Sequence, residues 1–228
     1  MAVSIDTVYQ KVLMLANKEQ RGYITPQEFN LFANQAQMEI FEQYFYDLNQ
    51  LARIQGNSDQ YADIRHNIQE KISIFEKEGS IATNGNITAA NIYRLGTVYS
   101  GSSIDTGTEC EEVQQDEMLY LNKSLLTAPT TSRPVYVRTG FLKAIIYPTS
   151  SGKCTFVKKP NSPKWGYVVV NKKAMYDNTS AIDFELHPSE EVELVYKILK
   201  LAGVSIKRDD IASSGQAFEI SQIQQEKQ

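Results

Sequence analysis

Two cysteines, two histidines and one acidic run are the residues whose types invite a chemical reading. Cys110 stands among Glu109, Glu111 and Glu112. Negative neighbours raise a thiol pKa, so this cysteine reads as unactivated rather than as a nucleophile. Cys110 and Cys154 are too few for a disulfide framework, and both are expected as free thiols. His66 and His187 are the only histidines, and neither stands in a CxxC or HExxH context. Both read as surface or boundary residues, and no metal site is expected. The carboxylates between Glu109 and Glu117 could serve acid/base work or hold a divalent cation, but a solvated helix face explains them with fewer assumptions. Asp209 and Asp210, after Lys207 and Arg208, read as surface or cap residues.

Sequence patterns for other chemistry are missing. The chain has no GxxxxGK[ST] loop, no GxGxxG after a strand and no GxSxG elbow. Asn84-Gly85-Asn86 and Ser150-Ser151-Gly152 read as turns. Lys153, Lys158, Lys159 and Lys164 lie near Trp165 and Tyr167, followed by Lys172 and Lys173. Such a set can meet a nucleic-acid backbone, and a DNA-packaging accessory role would need these lysines on one face. Lysines also protect strand edges from unwanted pairing, and that structural reading is preferred. No catalytic, cofactor-binding or metal-binding residues are assigned.

The elements that carry these residues follow from periodicity. Residues 4 to 17 place Ile5, Val8, Val12, Leu13 and Leu15 at helical spacing, with Ser4 as a cap. A second helix starts at Thr25-Pro26-Gln27-Glu28, a capping box with proline in the first turn, and continues to about Ile54. Its broad stripe includes Phe29, Phe32, Ala33, Ala36, Ile40 and Phe41. The stripe is either the core of a helical layer or an interface with another chain. Residues 59 to 78 read as a third, sparsely apolar helix ended by Gly79, with a partly ordered arm as the alternative. From residue 80 the texture turns to Thr, Asn, Gly and Ser with short β-prone pieces at 92 to 100, 133 to 148, 152 to 160 and 164 to 170. Residues 109 to 126 read as a short acidic helix. Residues 188 to 202 form the clearest helix of the second half, with Ser189 as cap, Val192, Val195, Leu199 and Ala202 buried, and Gly203 as its end. The polar stretch from Lys207 to Gln228 is expected to be extended, and ordered only against a neighbour.

These elements predict an α+β chain: N-terminal helices, a central β-rich lobe, and a C-terminal helix with an extended polar tail. Residues 1–80 and 186–206 form the expected helical assembly core. Residues 81–185 form the lobe with its short helix, and 207–228 the tail. The candidate interface residues are Phe29, Phe32, Ile40, Phe41, Tyr44, Trp165, Tyr167 and Ile220.

The 228 residues are 42% hydrophobic and 22% charged, with 27 acidic against 23 basic side chains and a net charge of -4. That balance argues against a generally basic nucleic-acid binder. The first residues lack the basic and apolar regions of a signal peptide, and the longest apolar runs are too short for a bilayer, so no membrane partner is expected. Much of the remaining polar share is uncharged Asn, Gln, Ser and Thr. These side chains form directional hydrogen bonds without the desolvation cost of charge, which suits a subunit covered by neighbours.

Three stretches carry a family resemblance: VYQKVLMLANKEQRGYITPQEFNLFANQAQMEIFEQYF; RPVYVRTG with IIYP and PKWGYVVV; and HPSEEVELVYKILKLAGVSIKRDD. In their order the chain resembles virion structural proteins of short-tailed bacteriophages, of the crAss-like group and marine relatives. The resemblance implies a noncatalytic neck ring or adaptor between portal and tail, forming a dodecameric ring of twelve copies around the DNA channel. It implies contacts with the portal and other neck or tail proteins and nonspecific contact with passing DNA. Localisation would be the virion, after assembly in the host cytoplasm. A tail hub, tail barrel or capsid-associated protein is the alternative, and a small carboxylate-dependent hydrolase a more distant one. The family supplies no catalytic residues and no cofactor.

Overall fold

A capping box opens the longest helix as the sequence predicts. In the computed structural model the Thr25 backbone N–H and hydroxyl both donate to Glu28 Oε2, at 3.0 and 2.7 Å, and the Glu28 N–H returns a 3.3 Å bond to Thr25 Oγ1. These bonds, first that from the Thr25 side chain, hold the Glu28 carboxyl below its ordinary pKa. The structure describes residues 3–16, 24–53, 59–103, 105–205 and 209–226. In chain order the elements are α1 (Ile5–Ala16), α2 (Pro26–Arg53), α3 (Asp59–Ser73), β1 (Glu76–Ile81), β2 (Ile87–Thr88), β3 (Ile92–Ser100), β4 (Thr108–Glu109) and β5 (Glu111–Val113). They continue with α4 (Gln115–Leu121), β6 (Val135–Gly140), β7 (Lys143–Tyr147), β8 (Gly152–Lys158), β9 (Tyr167–Val170), β10 (Lys173–Tyr176), α5 (Glu191–Ser205) and α6 (Asp209–Glu226). The fold is α+β, with N-terminal helices, a central β-rich region and C-terminal helices.

The chain divides into two compact units, one of Met1–Ile74 with Pro160–Gln228 and one of Phe75–Lys159. In the first, α5 packs against α1, α2 and α6. Its core joins Ile5, Val8, Tyr9 and Val12 of α1 to Phe29, Ala33, Ile40 and Phe41 of α2 and Leu194, Ile198 and Leu199 of α5. The polar segment 160–187 belongs to this unit rather than to the β-rich lobe expected over 81–185. Side chains stitch it to the helices. Buried Gln37 donates to the Asn161 carbonyl at 2.8 Å and accepts from the Glu185 N–H at 3.1 Å. Ile5 N–H donates to Asp183 Oδ1 at 3.0 Å, and Phe184 N–H to the Val3 carbonyl at 3.1 Å.

Gln37 lies fully buried on an otherwise apolar face, so its hydrogen bonds decide its worth. Gln37→Leu keeps the volume but orphans the Asn161 carbonyl and the Glu185 N–H. A loss of about 1–3 kcal/mol is expected in urea unfolding. A change within about 0.5 kcal/mol, the range of ordinary surface substitutions, would show that those groups find other partners.

In the second unit, antiparallel pairing builds a five-stranded sheet of order β2-β1-β8-β3-β4. A three-stranded sheet of order β5-β6-β7 pairs β5 parallel and β7 antiparallel to β6. Ile87 N–H to the Leu142 carbonyl (3.0 Å) and Ala144 N–H to the Gly85 carbonyl (2.9 Å) tie the two sheets together. One core cluster joins Ile81, Val98, Cys154 and Phe156 of the first to Tyr136, Ala144 and Ile146 of the second. The alternate side of β6, Val135 and Val137, packs with Val113 and Met118, placing α4 on that sheet's outer face.

Four expectations are corrected. The third helix, expected over 59 to 78, ends at Ser73, and its last expected residues open strand β1 (Glu76–Ile81), paired with β8. The expected acidic helix at 109 to 126 begins instead with the end of β4 and all of β5 (Glu111–Val113), and only Gln115–Leu121 is helical. The tail expected as extended is helix α6, docked on α5. Gly203 does not end α5, which runs to Ser205.

Candidate functional site

Trp165 is the anchor of the first unit's exposed feature. Its side chain is 2% exposed. The ring lies 4.3 Å from Tyr9, stacks on Tyr167 at 5.9 Å and meets Tyr176 at a tilt at 5.8 Å, between centroids. Indole Nε1–H donates to Asp6 Oδ1 at 3.0 Å, and the backbone N–H to Asn30 Oδ1 at 2.7 Å. From this root β9 and β10 run out as a two-stranded hairpin, with Val168 opposite Met175 and Val170 opposite Lys173. Asn171 and Lys172 close it with φ of 50° and 63°, the left-handed pair that a tight two-residue hairpin turn requires. Directly opposed residues share a sheet face, so Val168, Val170 and Met175 form one apolar strip. All three are exposed, and Val169 on the other face is 63% exposed.

The second unit carries a groove of about 750 Å³ between α4, segment 127–134 and the strands β5 and β6. Val113, Leu121 and Val135 give it apolar walls, and Glu109, Glu111 and Glu117 outnumber Arg133 in its lining. Beside it Leu119, Tyr120, Leu125 and Leu126 are bare, Leu125 completely so. Strand alternation divides the acidic run: Glu111 lines the groove, while Glu112 Oε2 on the other face accepts from the Tyr136 hydroxyl at 2.9 Å. Burial, followed by this bond and the Glu112 charge, pushes the Tyr136 pKa up.

A second concavity, of about 580 Å³, lies between α2, α3 and the start of α5. Buried Glu190 receives Lys71 Nζ at 2.6 Å and the Ser189 hydroxyl at 3.2 Å. His187 Nδ1 accepts from the Ser189 N–H at 3.3 Å and lies 2.9 Å from Ser189 Oγ. The acid here meets the serine rather than the far imidazole nitrogen, so the group has the order of a helix cap and not of a Ser–His–acid relay. His187, read as an ordinary boundary residue, caps the 3₁₀ turn Pro188–Glu190 that leads into α5.

Of the eight candidate interface residues, Phe29, Ile40, Phe41, Tyr44 and Trp165 are buried in their own chain. The stripe of α2 is thus core, packed against α5 and touched from α1 by the Tyr9 ring, 4.7 Å from Phe29. Phe32 and Tyr167 are half-buried, and Ile220 is exposed on α6. The lysines read as one cluster divide between the units, Lys153, Lys158 and Lys159 in the second and Lys164, Lys172 and Lys173 in the first. Sequence reasoning missed the Val168–Val170 strip, although three consecutive valines were visible. Both cysteines are buried and free. Burial, more than the neighbouring Glu109, raises the Cys110 thiol pKa, and burial pushes Cys154 up to about 11. Among the described residues no group of three or more His, Cys, Asp or Glu side chains could hold a metal ion, and no helix is long and apolar enough to cross a membrane. No family model matches the chain, and no curated protein matches it.

Proposed function

We propose that the chain is a noncatalytic structural subunit of a short-tailed bacteriophage particle, a ring or adaptor joining portal to tail around the DNA channel. The observation that carries this reading is bare apolar surface on both compact units: the Val168–Val170 and Met175 hairpin on one, and Leu119, Tyr120, Leu125, Leu126 and Phe141 on the other. Apolar side chains clustered at the surface mark interfaces. Two unlike surfaces on one chain are what a ring subunit needs, because a ring is closed by contacts between different faces. The family resemblance supplies the setting: twelve copies, a portal partner, and a place in the virion after assembly in the host cytoplasm. The net charge of -4 favours a channel past which DNA slides rather than one that grips it.

Mass photometry and negative-stain imaging of the purified chain, alone and with purified portal, test the reading. Closed rings of one copy number are expected. A chain that stays monomeric at high concentration and also fails to join portal would refute it.

A further inference from the structure

The hairpin and the groove are complementary in shape class, polarity and charge. A two-stranded hairpin is marginal in water, and among the described residues no third strand pairs with either edge of this one. A flat apolar strand with open edges pairs with whatever reaches it unless it is covered. Trp165 fixes the root, so the apolar strip and the two lysines at the tip are presented together. Lys172 and Lys173 are exposed there. The groove offers the converse: apolar walls, an open side lined by bare Tyr120, and three carboxylates against one arginine.

We infer that the β9–β10 hairpin of one copy seats in the α4 groove of a second copy. Val168, Val170 and Met175 lie against Tyr120, Leu121 and Val135, and Lys172 and Lys173 lie beside Glu111 and Glu117. This rests on the assembly reading and names the contact that would build the ring. Because hairpin and groove are different surfaces of one chain, every copy both gives and receives, and the contact propagates until rotation closes it. Opposite charges at the rim set register and speed encounter, while the apolar strip supplies the area.

Charge exchange in the full-length chain tests it. K172E/K173E and E111K/E117K each alter exposed residues, so native circular dichroism is expected. Each is expected to raise the concentration at which assembly is half complete by about tenfold or more, since like charges then face each other. A chain carrying all four changes is expected to assemble as the unaltered chain does. As an independent measure, a V168C chain mixed with a Y120C chain should cross-link on mild oxidation, against a background of buried native thiols. Assembly that ignores both reversals, or that the four-fold exchange does not restore, overturns this contact and leaves the assembly reading standing. A wild-type chain that is monomeric overturns the contact too. The assembly reading falls with it only if portal binding also fails.

Discussion

Trp165→Ala is expected to destabilise the first unit by about 3–5 kcal/mol, the usual cost of emptying a large aromatic site. The indole fills the space between Tyr9, Tyr167 and Tyr176, three rings contributed by α1, β9 and β10. Its removal leaves a cavity and takes the donor from Asp6 Oδ1. Trp165→Phe restores most of the volume but not the N–H, so a smaller loss of about 1–2 kcal/mol is expected. Urea unfolding followed by circular dichroism reads both, because this is the only tryptophan and its fluorescence disappears with it. Hydrogen exchange adds location: amides of α1 and the hairpin should lose protection before those of the β8 sheet, which belongs to the other unit. A loss below about 1 kcal/mol would mean that Trp165 is a surface residue in solution. The hairpin would then have no rigid root.

Local chemistry is what the sequence revealed most directly. The capping box needs only Thr25 and Glu28 three residues apart, and the helices α1, α2 and α5 announce themselves by apolar periodicity. Where burial used other residue types, the pattern failed. Among the described side chains of α6 the covered positions are Gly215, Glu219 and half-buried Gln222, at spacings of four and three, and none of these three is apolar in the ordinary sense of a core stripe. Gly215 is there for close approach, since a Cβ would sit 3.1 Å from the Lys200 backbone nitrogen. Strand β1 hides in the same way: Gly79 occupies a core position, where a Cβ would come within 3.1 Å of the Phe156 ring. Glycine there was read as a helix end, because its usual meaning at the close of a helical pattern is a C-cap.

In α5, Val192 was expected inside but is exposed, while Leu194 and Ile198 are fully buried. A helix flanked by α1, α2 and α6 buries more than one stripe, and single-face periodicity cannot show which sides are covered. Gln37 lies beyond the reach of binary patterning altogether, because a polar residue becomes core when two backbone groups, at Asn161 and Glu185, are delivered to it from more than a hundred positions away. The uncharged polar excess thus has a partly internal use: Gln37, Asn30 and Asn161 fasten segment 160–187 by hydrogen bonds. The candidate site failed in the opposite sense. Three consecutive valines in a strand usually signal burial on both faces, and in the single chain they are bare. The gap between that signal and the exposure is the physical ground for giving the hairpin a partner.

Lys197→Ala is expected to cost about 3–5 kcal/mol, because it breaks a buried ion pair and leaves carboxylates behind. Lys197 is 5% exposed and reaches Glu219 Oε1 at 2.7 Å and Glu193 Oε1 at 3.4 Å, while Lys200 takes Glu219 Oε2 at 2.9 Å. This cluster, with the Tyr196–Phe218 stack at 5.2 Å, is what docks α6 on α5. Burial works against charge on Glu219, yet the hydrogen bonds and charges of Lys197 and Lys200 outweigh it and hold the carboxyl below its ordinary pKa. Burial likewise opposes charge on Lys197, and Glu219 and Glu193 outweigh it and raise the ammonium. The signs fix the pH dependence. The Glu219 contribution is complete above the ordinary carboxylate value of about 4.3 and is lost as pH falls through the lowered one. The Lys197 contribution is complete below about 10.4 and is lost as pH rises through the raised one. Stability of α6 docking should therefore be level between these limits and fall outside them. In Glu219→Gln the acid limb should lose this contribution, so the gap between mutant and wild type narrows as pH drops below about 4. K197M/E193Q/E219L, which removes the buried ammonium and both carboxylate charges that face it and keeps the volume, should recover most of the Lys197→Ala loss. Hydrogen exchange of the α6 amides across the pH range measures all of this. A transition centred near pH 6–7 would assign the docking to a histidine instead and remove the ion cluster from the account.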